Sequence, residues 1–289
     1  MLKKVLRKVW IWFLLSLDKV SPKLATKASH YRKTGKWLDL KKPKDFNEKL
    51  QWLKFNEDNC LKSRLADKFL AYKYVENICG SRILNNLLAV YDSPQEIIWN
   101  DLPKKFAIKC THGCGYNIVT RDKESLNKDE VFDALTVWMG DKYGRNKLEY
   151  HYDSIVPKII VEDYIEDSFG FLPRDYKIYC FNGKARLVLV CSERDGDLRL
   201  DFFDLNWNRL DIGHKKNESE KIIEKPRSLE GMVKHSELLA KEFRFVRIDF
   251  YDKDGEPIFG EFTFTPAANM ANYYNEYGLR YLGELLKLD

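Results

Sequence analysis

Residues 247–265 carry polar and apolar side chains in alternation along two short runs, separated by Asp252, Lys253, Asp254 and Gly255. A strand turns successive side chains to opposite faces. Arg247, Asp249 and Tyr251 therefore share one face of the first run, and Phe259, Glu261, Thr263 and Thr265 one face of the second. The acidic, glycine-ended break supplies turn chemistry, so the segment reads as a β-hairpin, and a loop centred on Gly255 sets Asp249 opposite Glu261. Residues 175–181 and 184–190 form a second hairpin, because the Asn182-Gly183 pair between them favours a type I′ turn. Further strands are predicted at 105–110, at 117–120 and at 158–165, the last a buried run ending in acids. Helical spacing marks 45–55, with Phe46, Leu50 and Leu53 inward and Asp45 or Asn47 as the cap. It also marks 66 to about Gly80, 128–140, 228–242 and 277–288. Hairpin-joined strands with helices between the groups predict an α+β fold.

Residues 1–60 read as helical and basic, broken at Pro22, Gly35 and Pro43. The uncharged run within them, residues 9–17, is far shorter than the ~20 residues that span a bilayer, and no small-residue cleavage site follows it. Two readings stay open. One is an amphipathic anchor, residues 1–17, with Trp10, Trp12 and Phe13 at the acyl boundary and Lys3, Lys4, Arg7 and Lys8 on anionic head groups of the inner membrane face. The other is a helix docked on the body of the protein.

Composition narrows the class. With 289 residues, 44% apolar and 14% aromatic, the chain is globular and long enough for one large core or two to three subdomains. The net charge of +5 is mild. Its basic excess, continued by Lys33, Lys36, Lys41, Lys42 and Lys44, suits an acidic surface or polymer, and no nucleic-acid fold motif is present. Cys60, Cys79, Cys110, Cys114, Cys180 and Cys191 form no CxxC pair and no zinc spacing. They read as reduced, mostly buried thiols of a cytoplasmic protein. The five histidines are scattered.

Two features carry chemistry. Directly opposed carboxylates at Asp249 and Glu261, with Cβ atoms roughly 5 Å apart, repel unless a cation lies between them. Hard oxygens at that spacing suit Mg²⁺ shared with substrate phosphates. The second feature is the loop Thr111, His112, Gly113, Cys114, Gly115, which follows a strand ending near Lys109. Its glycines let backbone N–H groups approach a phosphate, and Lys109 adds a point charge. The loop is neither a Walker A nor a GxGxxG sequence, and by itself it is also an ordinary hairpin turn.

The order of these features, with Asp67-Lys68 opening a helix, Glu162 and Asp163 ending a strand and Asp175 and Lys177 on the next, resembles the ATP-grasp superfamily. In detail it resembles the TupA-like ATP-grasp family, named for teichuronopeptide biosynthesis and found with capsular and cell-surface polysaccharide genes. The matching segments are 46–49, 52–54, 66–68, 109–113, 175–177, 181–184 and 259–266. The resemblance implies an ATP-grasp fold of two α+β subdomains clamping ATP. A helical basic region at 1–60 would come first, then a smaller subdomain with the lid loop at 61–165, then a C-terminal subdomain with the metal site at 166–289. It implies that Lys68 and Lys109 hold phosphates, that the 113–115 loop with His112, Gly113 and Gly115 is the lid, and that Glu162, Asp163 and Ile165 form the adenine hinge. Lys177 lies where a basic group nears the phosphates, and Arg247 and Lys109 are the expected catalytic groups. Asp249 and Glu261 match the Mg²⁺ ligands. Thr263 stands where many of these ligases have Asn, which leaves water or Asn269 as alternative ligands. The implied reaction is an ATP- and Mg²⁺-dependent carboxylate–amine ligation through an acyl phosphate. It would act on an acidic surface glycan or its lipid-linked precursor with an amino acid or small amine. A glycan kinase, a glycosyltransferase and a non-catalytic ATP-binding module are the rivals.

Overall fold

The computed structural model describes residues 2–166, 168, 170, 173–192 and 198–288, with the backbone alone for 2–5, 7 and 8. The side chains of Lys3, Lys4, Arg7 and Lys8, invoked above for head groups, thus lie outside the described residues. Helix α1 (Leu2–Val20) gives way at Ser21, whose hydroxyl accepts from the Leu24 N–H and opens α2 (Pro22–Thr34). Gly35, at φ 73°, closes α2 in the left-handed conformation that glycine adopts without strain. Asp45, not Asn47, caps α3 (Phe46–Asn56), and Glu48 completes a reciprocal capping box. After α4 (Cys60–Ala66), Asp67 accepts from the N–H groups of Phe69 and Leu70 and starts α5 (Lys68–Cys79).

Two antiparallel sheets follow. The first contains β1 (Leu87–Tyr91), β2 (Phe106–Cys110), β3 (Asn117–Thr120) and β4 (Ile159–Asp163), in the order β1-β4-β2-β3. Helices α6 (Lys128–Met139) and α7 (Tyr143–Lys147) lie between β3 and β4. The second contains β5 (Asp175–Phe181), β6 (Lys184–Ser192), β7 (Arg199–Asp204), β8 (Phe245–Lys253) and β9 (Glu256–Thr263), in the order β7-β6-β5-β8-β9. Helix α8 (Leu229–Leu239) precedes β8, and α9 (Glu276–Leu285) follows β9. The arrangement is α+β, as the pattern predicts. Positive φ at Asn182 and Gly183, and again at Asp254 and Gly255, gives both hairpins two-residue turns of the type that matches strand twist.

Packing explains where the polar side chains end up. One face of the second sheet, with Ile178, Val188, Val190, Val246, Ile248 and Phe250, buries against Ala71 and Val75 of α5 and Met232 and Leu239 of α8. The opposite face changes character along its strands. Tyr179, Phe181 and Phe245 pack under Phe46, Leu50 and Leu53 of α3 and Leu282 of α9. Toward the other end the same face carries Asp175 and Lys177 on β5 and Arg247 and Asp249 on β8. In the first sheet Phe106, Ile108, Ile159 and Val161 meet Val131 and Leu135 of α6, leaving Ala107, Lys109 and Glu162 on the far side.

One alternation expected from the sequence is broken. Asp249 does pair with Glu261, but the register then shifts so that Phe250 pairs with Phe259, with Gly260 as the extra residue. This bulge turns Phe259 into the core beside Phe262, instead of onto the face of Glu261. The cysteines are all free. Cys110, Cys180 and Cys191 are buried, Cys79 is half-buried, and Cys60 and Cys114 are exposed, so fewer are interior than expected.

Candidate active site

The polar faces of the two sheets border a cleft of about 500 Å³. Lys68, Lys109, Gly115, Glu162, Asp163 and Ile165 line it from the first half, and Lys177, Asp249 and Glu261 from the second. Nine of the residues picked out in the sequence therefore meet there.

Each cation in the cleft has an acceptor. Lys68, at the start of α5, donates to the Gly113 carbonyl at 2.6 Å and so ties the loop to the helix. Lys109 donates to Glu162 at 2.6 Å, a diagonal pair across β2 and β4. Burial pushes the Lys109 ammonium pKa down, but Glu162, by charge and hydrogen bond, together with Tyr251 and Glu261 outweighs it, so the net shift is upward. Lys177 bridges Asp175 at 2.5 Å and Asp249 at 2.6 Å. Arg247 grips Asp249 with Nε at 2.7 Å and Nη2 at 2.8 Å, a planar two-point contact, and Nη2 also donates to the Thr263 hydroxyl at 3.0 Å. Burial alone would raise the Asp249 pKa. The adjacent Arg247 and Lys177 overcome it and hold the carboxyl below its usual range. Glu261 makes no hydrogen bond or ion pair among the described residues, although it lies across the strands from Asp249.

Five picked residues lie off the cleft wall. His112 is buried, with Nε2 3.0 Å from the Trp138 carbonyl oxygen and its ring against Tyr116. It underlies the loop and does not face the cleft. Gly113 faces the rings of Tyr116 and Tyr143, where a Cβ would come within 2.7 Å of Tyr116. Arg247 and Thr263 stand behind Asp249. Asn269, the alternative metal ligand, is buried elsewhere, donating to the Leu50 carbonyl. The structure adds residues that the sequence did not single out for the cleft: Tyr72, Asn85, Tyr116, Asp175, Tyr251 and Gly260. Asp175 and Tyr251 carried a signal, because they share the strand period of Lys177 and Asp249.

Chemically, the cleft offers hard carboxylate oxygens at Asp249 and Glu261 beside three lysines. No cluster of three or more His, Cys, Asp or Glu with metal-ligating geometry is present among the described residues. Two carboxylates fit a cation such as Mg²⁺ that fills its remaining positions from water and phosphate.

A family model described as TupA-like ATPgrasp matches residues 48–287. No curated protein matches the chain. Among solved structures, D-alanine–D-alanine ligase from Helicobacter pylori gives a TM-score of 0.48 at 12% identity, over 85% of this chain and 68% of its own. The corresponding Bacillus anthracis enzyme complexed with ATP gives 0.45 at 16% identity, over 77% and 65%. N5-carboxyaminoimidazole ribonucleotide synthetase from Thermus thermophilus gives 0.43 at 11%, over 75% and 51%. The chain thus spans between half and about two thirds of the length of these solved proteins.

Proposed function

The chain belongs to the TupA-like ATP-grasp family, and from that premise we propose that it is an ATP-dependent ligase joining a carboxylate to an amine through an acyl phosphate. The observation that carries this reading is the convergence of lysines and carboxylates from both sheets on one cleft. Lys68 and Lys109 are each held by a protein acceptor that a phosphate oxygen can replace, and both bring an ammonium group to the phosphates. The 113–115 loop, tied through Lys68, closes over them and keeps water from the acyl phosphate. Glu162, Asp163 and Ile165 offer the backbone edge for adenine. Asp249 and Glu261 are the candidate Mg²⁺ ligands, and Mg²⁺ bound there would neutralise charge on the phosphoryl oxygens. Arg247 keeps Asp249 ionised and oriented and is placed to steady the charged intermediate beyond it. Thr263 accepts from Arg247, a place that makes it a support for that guanidinium.

In the reaction a carboxylate oxygen attacks the γ-phosphorus, the bond to the bridging oxygen breaks and ADP leaves. The amine nitrogen then attacks the acyl carbon, phosphate departs and the nitrogen gives up its proton. The substrates in this reading are a uronic acid of an acidic surface glycan or its lipid-linked precursor, or an amino acid, together with an amino acid or small amine. The enzyme works in the cytoplasm, at the inner membrane face, as part of capsule or envelope polysaccharide synthesis. Incubation with ATP, Mg²⁺ and a panel of uronic acids, amino acids and amines tests it. ADP, free phosphate and an amide product are expected. A phosphorylated glycan without free phosphate would replace the ligase with a kinase, and turnover of a sugar nucleotide with ATP untouched would replace it with a glycosyltransferase.

A further inference from the structure

The family match begins at residue 48, so α1 and α2 lie outside it. They also differ from the remainder in charge. Residues 1–44 contain 13 Lys and Arg against two acids, Asp18 and Asp39, a net of +11 in a chain whose total is +5, so the remainder carries −6. Among the described side chains, α1 is fixed to the body through one side. Leu14 is buried, and buried Asp18 pairs with Arg145 at 3.2 Å and accepts from the Tyr150 hydroxyl at 2.6 Å. Leu6, Val9, Phe13 and Val20, spaced three, four and seven apart, form a different stripe, and all four are exposed. Trp12 beside them is 69% exposed. Between α1 and α2 runs a groove of about 570 Å³ walled by Trp10, Phe13, Leu17, Leu24, Tyr31 and Trp37. Lys27 and Arg32 also line it, Arg32 lying over the Trp10 ring at 4.2 Å. Tyr31 and Trp37 stack at 4.6 Å, and Trp37 is 71% exposed.

We propose that the α1–α2 hairpin is a docking surface for an anionic phospholipid bilayer, lying in the plane of the interface with its groove and apolar stripe against the acyl boundary. Charge complementarity selects this occupant. A second copy meeting it through the same face would set +11 against +11, whereas an anionic bilayer attracts every Lys and Arg of the segment. The amphipathic reading also agrees with length, since no helix among the described residues is long and apolar enough to cross a membrane. Aromatic rings flanked by cations are the side chains that settle at that depth. Both sequence readings of the segment are thereby reconciled: one side of α1 docks on the protein and the other is left for lipid. The proposal does not depend on the ligase chemistry.

Co-sedimentation of the full chain with vesicles tests it, using phosphatidylcholine alone and phosphatidylcholine with phosphatidylglycerol. Binding is expected only to the anionic vesicles, and it should weaken as salt rises, because exposed charges are screened over about 8 Å at physiological ionic strength. The double variant Trp12→Glu/Trp37→Glu removes two exposed rings and should lower partitioning by about tenfold or more, with its melting curve unchanged. Wild-type protein that ignores anionic vesicles, or a folded variant that partitions as well as the wild type, overturns the proposal. So does a dimer in solution that the variant dissociates, which would assign the face to a second copy.

Discussion

Asp249 sits between two cations, and its charge state governs the centre of the cleft. Glu261, opposite it, has no partner among the described residues, so it is the side chain with most to gain from a metal ion. Glu261→Gln is expected to abolish Mg²⁺-dependent ADP formation while the melting temperature holds. A folded variant with undiminished turnover would refute the metal assignment. Lys109→Ala should weaken ATP binding by about 1.5–3 kcal/mol, the range for hydrogen bonds to charged groups, as read by calorimetry. A third expectation comes from Glu149, which accepts from the Thr265 hydroxyl and is pushed up to about 7 by burial. The folded state then holds a proton that the unfolded chain, with its carboxyl near 4.5, releases earlier. The contribution is full below pH 4.5 and is lost as pH rises through 7, by up to about 3 kcal/mol. Urea titrations across that window should show Glu149→Gln lacking this part of the wild-type slope. Equal slopes would mean that Glu149 ionises normally. At this scale strand alternation set Asp249 opposite Glu261, while Lys109 was legible from its place before the glycine loop and Lys177 only through the family resemblance. It failed at Phe259, because a one-residue bulge leaves no mark in the alternation. It failed at His112, because a loop side chain can turn either toward a ligand or beneath its own turn.

Among the elements, β5 and β8 matter most, since each changes from polar to aromatic along a single face. That change is visible in the sequence as Asp175, Lys177, Tyr179 and Phe181, and as Phe245, Arg247, Asp249 and Tyr251. It locates both the cleft and the seat of α3 and α9. The edge strands β1 and β7 and the short helices α4 and α7 were not legible. These four span five to seven residues each and, unlike the comparably short β2, β3 and β4, neither flank the glycine loop nor end in two successive acids, so tertiary contacts decide them. The loop at 111–116 is braced on one side by Tyr116, stacked on Trp138 and bonded to Asp141, and on the other by Lys68. If it closes over nucleotide, hydrogen exchange at Gly113 and Gly115 should slow when ATP and Mg²⁺ are added together. Exchange that ignores both ligands would make the segment a structural turn.

The molecule as a whole joins distant parts of the chain. The Lys49 ammonium donates to the carbonyls of Gly283 and Leu286, and a Cβ on Gly283 would come within 2.5 Å of the Lys44 carbonyl oxygen. Leu282, fully buried with Phe46, closes this seam. Leu282→Ala is expected to cost about 2–5 kcal/mol in urea denaturation, the usual range for an emptied core site, and a smaller loss would show that the seam collapses around the gap. The same seam bears on how the protein is made. On the ribosome, Tyr179, Phe181 and Phe245 are synthesised before α9, which shares in covering them. At roughly 5–20 residues per second the nascent chain lacks the α9 part of that cover for several seconds after Phe245 is made. Translation halted before residue 276 therefore leaves a sticky intermediate, a natural client for chaperones that bind unfinished chains.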